Sequence, residues 1–355
     1  MLAVVYSFSA RGAELSKKIC SALSDIGCEA HGETVSKYSE SSGLKAMLPD
    51  HNEACRRDFS RCSLIVFVGA VGIAVRTIAP YIKNKLVDPA VISVDERANF
   101  IIPLLAGHIG GANEFSRYLA AALGAVACVT TATDVNGLFA VDEWAARNNM
   151  IIDSLTRAKD FAAAIVGGES VGFYHDEEFK LVNSLPQGIV EDQSLAVGMA
   201  ITLDRSVTPF EKTVRLLPKI VHLGIGCRRG TKMEKIESLV LRCVADLKLD
   251  LRTIVGVASV DLKKDEEGVL AFAEKYRYPV NFYTAEQLNS VSGEFTPSAF
   301  VKSITGVNNV CERSAVCDAR GGKLILRKTS ADGVTLAVAV ENLELDLLKS
   351  GLKKD

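Results

Sequence analysis

The sequence predicts the α/β fold class, as two α/β units with mostly parallel sheets joined by a small α+β middle domain. Short apolar runs without polar alternation, such as residues 64–68, are typical of strands that are buried on both faces of a sheet. Apolar residues at helical spacing follow most of these runs. Glycines mark many of the points where strands and helices end, so the two kinds of element are expected to alternate.

The first unit is placed in residues 1–140. Residues 3–6 predict a strand, and apolar positions 15, 19 and 23 predict a helix that stops at Gly27. Residues 31–60 are polar, so only a loop and a connecting helix are expected there. The other elements of this unit are predicted as strands at 64–68, 90–94, 100–104 and 125–131, and as helices up to Pro80 and from Asn113 to Leu123.

The pattern changes at about residue 141. The middle domain, residues 141–212, is predicted to contain a helix carrying Asp142 and Glu143, a second helix at 156–166, and short strands at 171–174 and 195–203. The C-terminal domain, residues 213–346, again alternates. Its strands are predicted at 220–225, 254–258, 280–283, 323–327 and 334–340, and its helices at 231–247 and 268–276.

The composition excludes several classes of protein. The 355 residues are 48% hydrophobic and 24% charged, as in folded globular proteins. The formal net charge of -2 gives no overall attraction for nucleic acid or an anionic membrane, and no apolar run could span a bilayer. A cytoplasmic protein with a small ligand is therefore expected. The nine cysteines include no Cys-x-x-Cys pair, and no sequence cluster has metal-ligand spacing, so no protein-bound metal is expected.

A glycine-rich loop, GHIGGAN at residues 107–113, joins a predicted strand to a predicted helix. The free N–H groups of such a loop suit an anion or a developing oxyanion. His108 is either a general base or a histidine that only hydrogen-bonds a loop carbonyl. Glu114 is a candidate catalytic carboxylate, although the helix dipole alone accounts for a carboxylate in the first helical turn.

A second polar loop contains Asp134. It follows a different predicted strand, and we expect the loop to lie at the same rim of the sheet as His108. Asp134 could orient His108, transfer a proton itself, or simply form an Asx turn. Asp142 and Glu143, a few residues further on, are expected to be solvated.

The third loop, GIGCRRG at residues 224–230, resembles nucleotide-binding loops only weakly, because its third glycine stands one place late. Gly226 would let a ligand approach the backbone. Arg228 and Arg229 would suit carboxylates, which arginine can bind through two hydrogen bonds. A solvated basic helix start is the alternative.

Six segments together resemble one family. DPAVISVDE (88–96), IPLLAGHIGGANE (102–114) and TATDVNGLFAVDE (131–143) resemble the cobalt-precorrin-5A hydrolase family, CbiG, of anaerobic cobalamin biosynthesis. GIGCRRG (224–230), ASVDLKKDEEG (258–268) and TGVNNVCE (305–312) are similar to the C-terminal part of that family. One departure is Arg97-Ala98-Asn99, in a turn where a glycine is expected.

The resemblance implies a hydrolase that opens the lactone of cobalt-precorrin-5A and releases acetaldehyde, giving cobalt-precorrin-5B. It implies no cofactor, because the cobalt arrives with the corrinoid substrate; other enzymes of the pathway are further candidate partners. The alternatives are a non-catalytic carrier of corrinoid intermediates and, from the glycine loops alone, a nucleotide-binding regulator.

The chemistry of the loops suggests a role for each site residue in this reaction. His108 would activate water for attack on the lactone, and the amides of Gly110 and Gly111 would stabilise the oxyanion. Asp134 would orient His108 or accept the proton of the freed hydroxyl. Asn113 would hydrogen-bond the lactone or a carboxylate of the substrate. Gly226, Arg228 and Arg229 would bind substrate carboxylates.

Overall fold

The computed structural model describes residues 1–84, 87–108, 110–298 and 303–348. They form two compact units, Met1–Arg147 and the chain from Asn148 onward. Both units have helices packed on mostly parallel sheets, which confirms the predicted fold class. Every helix in these ranges is too short or too polar to cross a lipid bilayer.

The first unit is built on one seven-stranded sheet. Its strands are β1 (Leu2–Ser7), β2 (Glu29–Thr34), β3 (Lys45–Ala46), β4 (Leu64–Val68), β5 (Ala90–Val94), β6 (Phe100–Leu105) and β7 (Val126–Ala127). Its helices are α1 (Ala10–Ser24), α2 (Ser36–Ser42), α3 (His51–Asp58), α4 (Val71–Ile78), α5 (Ala112–Leu123), α6 (Ala132–Val135) and α7 (Val141–Arg147). The strand order is β3-β2-β1-β4-β5-β6-β7.

Both faces of this sheet are covered, as the continuous apolar strands predict. Val5 and Val66 pack on one face with residues of α1 and α5. Ile65 and Phe67 point to the opposite face, where α3 and α4 cover them. The alternation of side chains along buried strands therefore supplies two apolar layers from one sheet.

The last two strands of the sheet run opposite to the others. β1 to β5 are parallel, whereas β6 pairs antiparallel with β5 and parallel with β7. The carboxyl ends of β6 and β7 therefore share one edge, as expected for the loops of His108 and Asp134. That edge is the one at which β1, β4 and β5 begin.

A tight turn between β5 and β6 causes this reversal. Asp95 accepts hydrogen bonds from the backbone N–H groups of Arg97 and Phe100, at 2.9 and 2.6 Å. Ala98 has φ 54°, the left-handed conformation that favours glycine. The glycine that the family resemblance leads us to expect in this turn therefore has a conformational reason, and alanine adopts the same conformation here.

Strand β2 was not predicted, because Glu29–Thr34 has no apolar run. Its inward-facing Glu33 is buried and accepts a hydrogen bond of 2.7 Å from Arg57. Arg57 also binds Asp58, which accepts a hydrogen bond of 2.6 Å from Tyr6 on β1. Paired charges thus replace the apolar pattern by which strands are usually recognised.

The second unit contains a five-stranded sheet in each of its two segments. The first segment has strands β8 (Met150–Ile152), β9 (Val171–His175), β10 (Lys180–Leu181), β11 (Ile189–Val190), β12 (Val197–Ile201) and β13 (Lys212–Pro218), with helix α8 (Leu155–Val166). The order in its sheet is β11-β9-β12-β13-β8, with only β8 antiparallel to its neighbour.

The second segment has strands β14 (Val221–Cys227), β15 (Ile254–Val260), β16 (Val280–Tyr283), β17 (Lys323–Ala331), β18 (Val334–Val340) and β19 (Glu344–Leu345). Its helices are α9 (Met233–Asp246), α10 (Glu267–Tyr276), α11 (Ala285–Ser290) and α12 (Val310–Asp318). The sheet order is β16-β15-β14-β18-β17, and β19 pairs with β10 of the other segment.

Helix α12, which was not predicted, explains one glycine of the GIGCRRG loop. A Cβ atom at Gly224 would lie 1.8 Å from the carbonyl oxygen of Cys311 on α12. Gly224 therefore allows the helix to contact the strand backbone directly, a packing role rather than a ligand-binding one.

His222 on β14 lies between two carboxylates. Its Nδ1 is 2.6 Å from Asp318 Oδ2, and its Nε2 is 3.0 Å from Glu341 Oε1. Asp318 also accepts hydrogen bonds from Asn281 and Tyr283, both of 2.7 Å. Burial favours the neutral imidazole, but the two carboxylates outweigh it and raise the pKa of His222. This network joins β14, β16 and α12.

We predict that His222→Ala lowers the free energy of unfolding by about 3 kcal/mol or more near pH 6, because Asp318 loses its buried cation. The raised folded-state pKa means that the stabilisation is complete below the unfolded value of about 6.5 and is lost as pH rises through the folded pKa. Urea unfolding of both proteins between pH 6 and 10 measures this, with His175→Ala as control. A difference that is absent, or constant across this range, would contradict the prediction.

Candidate active site

His108 is held between two carboxylates in the first unit. Its Nε2 lies 3.0 Å from Asp134 Oδ2, and its Nδ1 lies 3.2 Å from Asp142 Oδ1. Because both ring nitrogens face carboxylate oxygens, both carry hydrogen. The hydrogen bond to Asp142 is the main reason that the pKa of His108 rises to about 9, against the opposing effect of burial. An imidazolium has no free lone pair, so the predicted role of general base does not fit this arrangement.

Asp134 lies on the short helix α6, where four groups donate hydrogen bonds to it. Oδ2 accepts from His108 and, at 2.9 Å, from Asn113, and it also contacts the Thr131 hydroxyl. Arg117 donates to Oδ1. Burial raises the pKa of Asp134, but the donors outweigh burial and lower it. A carboxylate that accepts four hydrogen bonds and has a lowered pKa fits the predicted orienting role and is a poor proton acceptor.

Some backbone N–H groups and side chains of the GHIGGAN loop donate hydrogen bonds to other groups of the protein. The Gly111 N–H donates to the His108 carbonyl at 2.9 Å, so the prediction that it stabilises an oxyanion is wrong for this conformation. Asn113 is 2% exposed and donates to Thr131 and Asp134, so it supports the site instead of contacting substrate as predicted. Gly110 packs against Ala106, where a Cβ would approach within 2.5 Å; its N–H has no acceptor in the described part of the chain.

Glu114 on α5 is paired with Arg147 on α7. Arg147 Nε lies 3.2 Å from Glu114 Oε2, and the same guanidinium contacts Glu143. Burial raises the pKa of both glutamates, while Arg147 opposes the rise. Glu114 therefore has a specific cation beside it, in addition to the helix dipole that accounts for its position in the sequence.

The expectation that Asp142 and Glu143 are solvated is wrong. Their side chains are only 16% and 13% exposed, because α7 packs its first turn against the His108 loop. These two residues end the TATDVNGLFAVDE segment that carries the family resemblance, so that segment could have indicated them. No sequence signal pointed to Arg117 or Arg147.

The fold also assembles groups of possible metal ligands, which the sequence spacing did not indicate. Ligand atoms lie within 4.8 Å of one another in His108 with Asp134 and Glu143, and in His31 with Glu33 and Asp58. In the first group, Arg117 and Arg147 already contact the two carboxylates. In the second group, Arg57 bridges both acids.

The GIGCRRG loop of the second unit presents its two arginines to solvent. Arg228 is exposed and has no ion-pair partner among the described residues, and Arg229 is 91% exposed with its Nε 3.9 Å from Glu266. Buried Glu266 accepts a hydrogen bond from the Gly230 N–H and so offsets part of the positive charge. Gly226 makes room for Thr335, whose Oγ1 would be 2.5 Å from an added Cβ.

Taken together, the fold and this cluster define an α/β protein with a histidine–carboxylate site of the kind that performs acid–base chemistry. The chain matches three family models: "Cobalamin synthesis G N-terminal" over residues 53–134, "Cobalamin biosynthesis central region" over 139–218, and "Cobalamin synthesis G C-terminus" over 221–339. The chain belongs to the CbiG family of cobalamin biosynthesis, which confirms the resemblance found in the loops.

Two cobalt-precorrin-5A hydrolases support this membership. A cobalt-precorrin-5A hydrolase of Salmonella typhimurium is 36% identical over 298 residues, covering 80% of this chain and 84% of the relative. A cobalt-precorrin-5A hydrolase of Priestia megaterium is 30% identical over 316 residues, covering 84% and 82%. A solved cobalamin biosynthesis protein G homologue from Sulfolobus solfataricus is 25% identical, covers 96% of this chain and 97% of its own, and has a TM-score of 0.42.

We predict that Asp142→Asn lowers the pKa of His108 from about 9 to below about 8, because the neutral amide no longer stabilises the imidazolium charge. An NMR titration of the imidazole resonances measures the pKa, and His108→Gln identifies the His108 signal. Glu96→Gln, an exposed acid elsewhere in the same unit, serves as control. An unchanged His108 pKa would show that Asp142 does not set its charge.

Proposed function

We propose that this chain opens the lactone of cobalt-precorrin-5A and releases acetaldehyde, as a hydrolase of cobalamin biosynthesis. Family membership and the names of the relatives support the substrate. The observation that carries the chemistry is the charged histidine between two carboxylates, formed by residues of the segments that match the family. The cobalt belongs to the substrate, and the proposal uses no organic cofactor.

In this proposal His108 acts as an acid. The charge of the imidazolium stabilises negative charge on the lactone carbonyl oxygen. The proton on its Nδ1, which lies 3.2 Å from Asp142 Oδ1, is transferred from that carboxylate to the ring oxygen as the carbon–oxygen bond breaks. Asp134 and Asp142 hold the ring in place and stabilise its charge. The Gly110 N–H would also donate to the oxyanion.

The base in this proposal is a buried glutamate. Burial raises the pKa of Glu114, which makes its carboxylate a better proton acceptor. Glu114 would accept the proton of the attacking water. The freed hydroxyl must then lose its proton as the two-carbon fragment departs, and Glu143 is the nearby carboxylate with a raised pKa. Asp134, which the sequence offered for this step, is already saturated with donors.

We expect His108→Ala to reduce the rate of acetaldehyde release by about a hundredfold or more while substrate binding is retained. The wild-type rate should fall above about pH 9, where the imidazolium loses its proton. Anaerobic incubation with cobalt-precorrin-5A and an acetaldehyde assay across pH measures both effects, with His175→Ala as control. A general base would instead give a rate that rises through this pKa, and tight binding without acetaldehyde would identify a carrier.

We expect the double variant Arg228→Ala, Arg229→Ala to weaken substrate affinity and leave the chemical step unchanged, because the exposed guanidiniums would pair with substrate carboxylates. A KM raised about tenfold with unchanged kcat is the expected result, because exposed ion pairs are worth about 0.7 kcal/mol each. The matched control removes two exposed cations from α9, Lys235→Ala with Arg242→Ala. Equal KM values in both double variants would exclude the loop from substrate binding.

A further inference from the structure

Two buried polar atoms of the Glu114–Arg147 pair lack hydrogen-bond partners among the described protein groups. They are Glu114 Oε1, an acceptor, and Arg147 Nε, a donor. Arg147 Nε lies 3.2 Å from the other glutamate oxygen, Oε2, but its N–H does not point along that line, so the contact is ionic only. Buried polar groups are nearly always hydrogen-bonded, and an adjacent unsatisfied donor and acceptor suit a guest that can accept one bond and donate another.

The charges around Glu114 come from two helices. On α7, Arg147 contacts both Glu114 and Glu143. On α5, Arg117 adds a second positive charge, although it is bound to Asp134. Glu143 in turn lies within 4.8 Å of the ligand atoms of His108 and Asp134. Glu114 therefore stands at the end of a continuous network that leads to the imidazolium.

We propose that Glu114 and Arg147 bind the hydrolytic water, with Arg147 Nε–H donating to the water oxygen and Glu114 Oε1 accepting one of its hydrogens. This inference rests on the proposed hydrolase function and adds Arg147 as a positioning residue. The water oxygen forms a bond to the lactone carbonyl carbon, its proton passes to Glu114, and the carbonyl electron pair moves to the carbonyl oxygen. When that pair returns, the ring carbon–oxygen bond breaks and the leaving oxygen takes a proton from His108.

Arg147 variants separate charge from hydrogen bonding. Arg147→Gln removes the positive charge that favours ionised Glu114, so the acidic limb of the kcat/KM profile should move to higher pH. The rate at pH 7 should fall about tenfold or more and partly recover near pH 8.5. Arg147→Lys keeps the charge but lacks Nε, so kcat should fall at every pH while the acidic limb stays in place. Arg242→Gln on α9 controls for the loss of a charge.

Glu114 variants test the base directly. Glu114→Gln should remove the acidic limb and lower kcat by about a hundredfold or more with KM retained. Glu114→Ala should recover activity in added formate, a small carboxylate base, whereas formate should not affect His108→Ala. If Arg147→Gln does not fold, as judged by urea unfolding, Glu114→Ala with and without formate decides the proposal.

The outcomes separate the two levels of the proposal. Wild-type protein that releases no acetaldehyde would overturn the hydrolase function. Active wild-type protein, combined with unchanged activity of Glu114→Gln or no rescue of Glu114→Ala by formate, would overturn the water site and leave the function standing. An acidic limb that Arg147→Gln leaves in place would remove Arg147 from the positioning of Glu114.

Discussion

The interaction on which the site depends is the pairing of one imidazole ring with two carboxylates. A histidine beside a single acid can exchange its roles as donor and acceptor, but His108 faces Asp134 and Asp142 on opposite sides of the ring. Its orientation and its charge are therefore fixed together. The groups around it follow from this constraint, because Asp134 must stay ionised and is held by Thr131, Asn113 and Arg117.

The same arrangement occurs at His222 in the second unit, with a different consequence. Both histidines have a carboxylate at each ring nitrogen, and in both the pKa is raised. The side chain of His108 is 17% exposed, whereas that of His222 is 8% exposed and its acidic partner Asp318 also accepts hydrogen bonds from Asn281 and Tyr283. Both rings pair with two carboxylates, so solvent exposure is the property that distinguishes His108 from His222. The buried His222 joins strands and a helix.

The sequence was sufficient for the elements that apolar patterns define. The strands at 64–68, 90–94 and 280–283 were predicted with their observed bounds, and the GHIGGAN and Asp134 loops were expected at one rim. It was insufficient where charge replaces apolar packing, as in β2, and where long-range pairing decides burial, as for Asp142 and Glu143. Periodicity describes one element at a time. The protonation state of His108 depends on an acid thirty-four positions away on helix α7, so no local pattern contains it.

The reversal of direction after β5 has a consequence for how the site can vary. The height of the His108 loop above the sheet is determined by the register between β5 and β6, in which Ile101 lies opposite Val94 and Pro103 opposite Ile92, with a shift of one residue before Leu105 pairs with Val91. Side chains alternate between faces along a strand, so a one-residue slip would turn the β6 residues to the wrong layer. The Asp95–Asn99 turn, at the far end of the hairpin, therefore influences the geometry of the candidate site from a distance. An insertion in this turn would move His108 relative to the sheet without changing any residue around it.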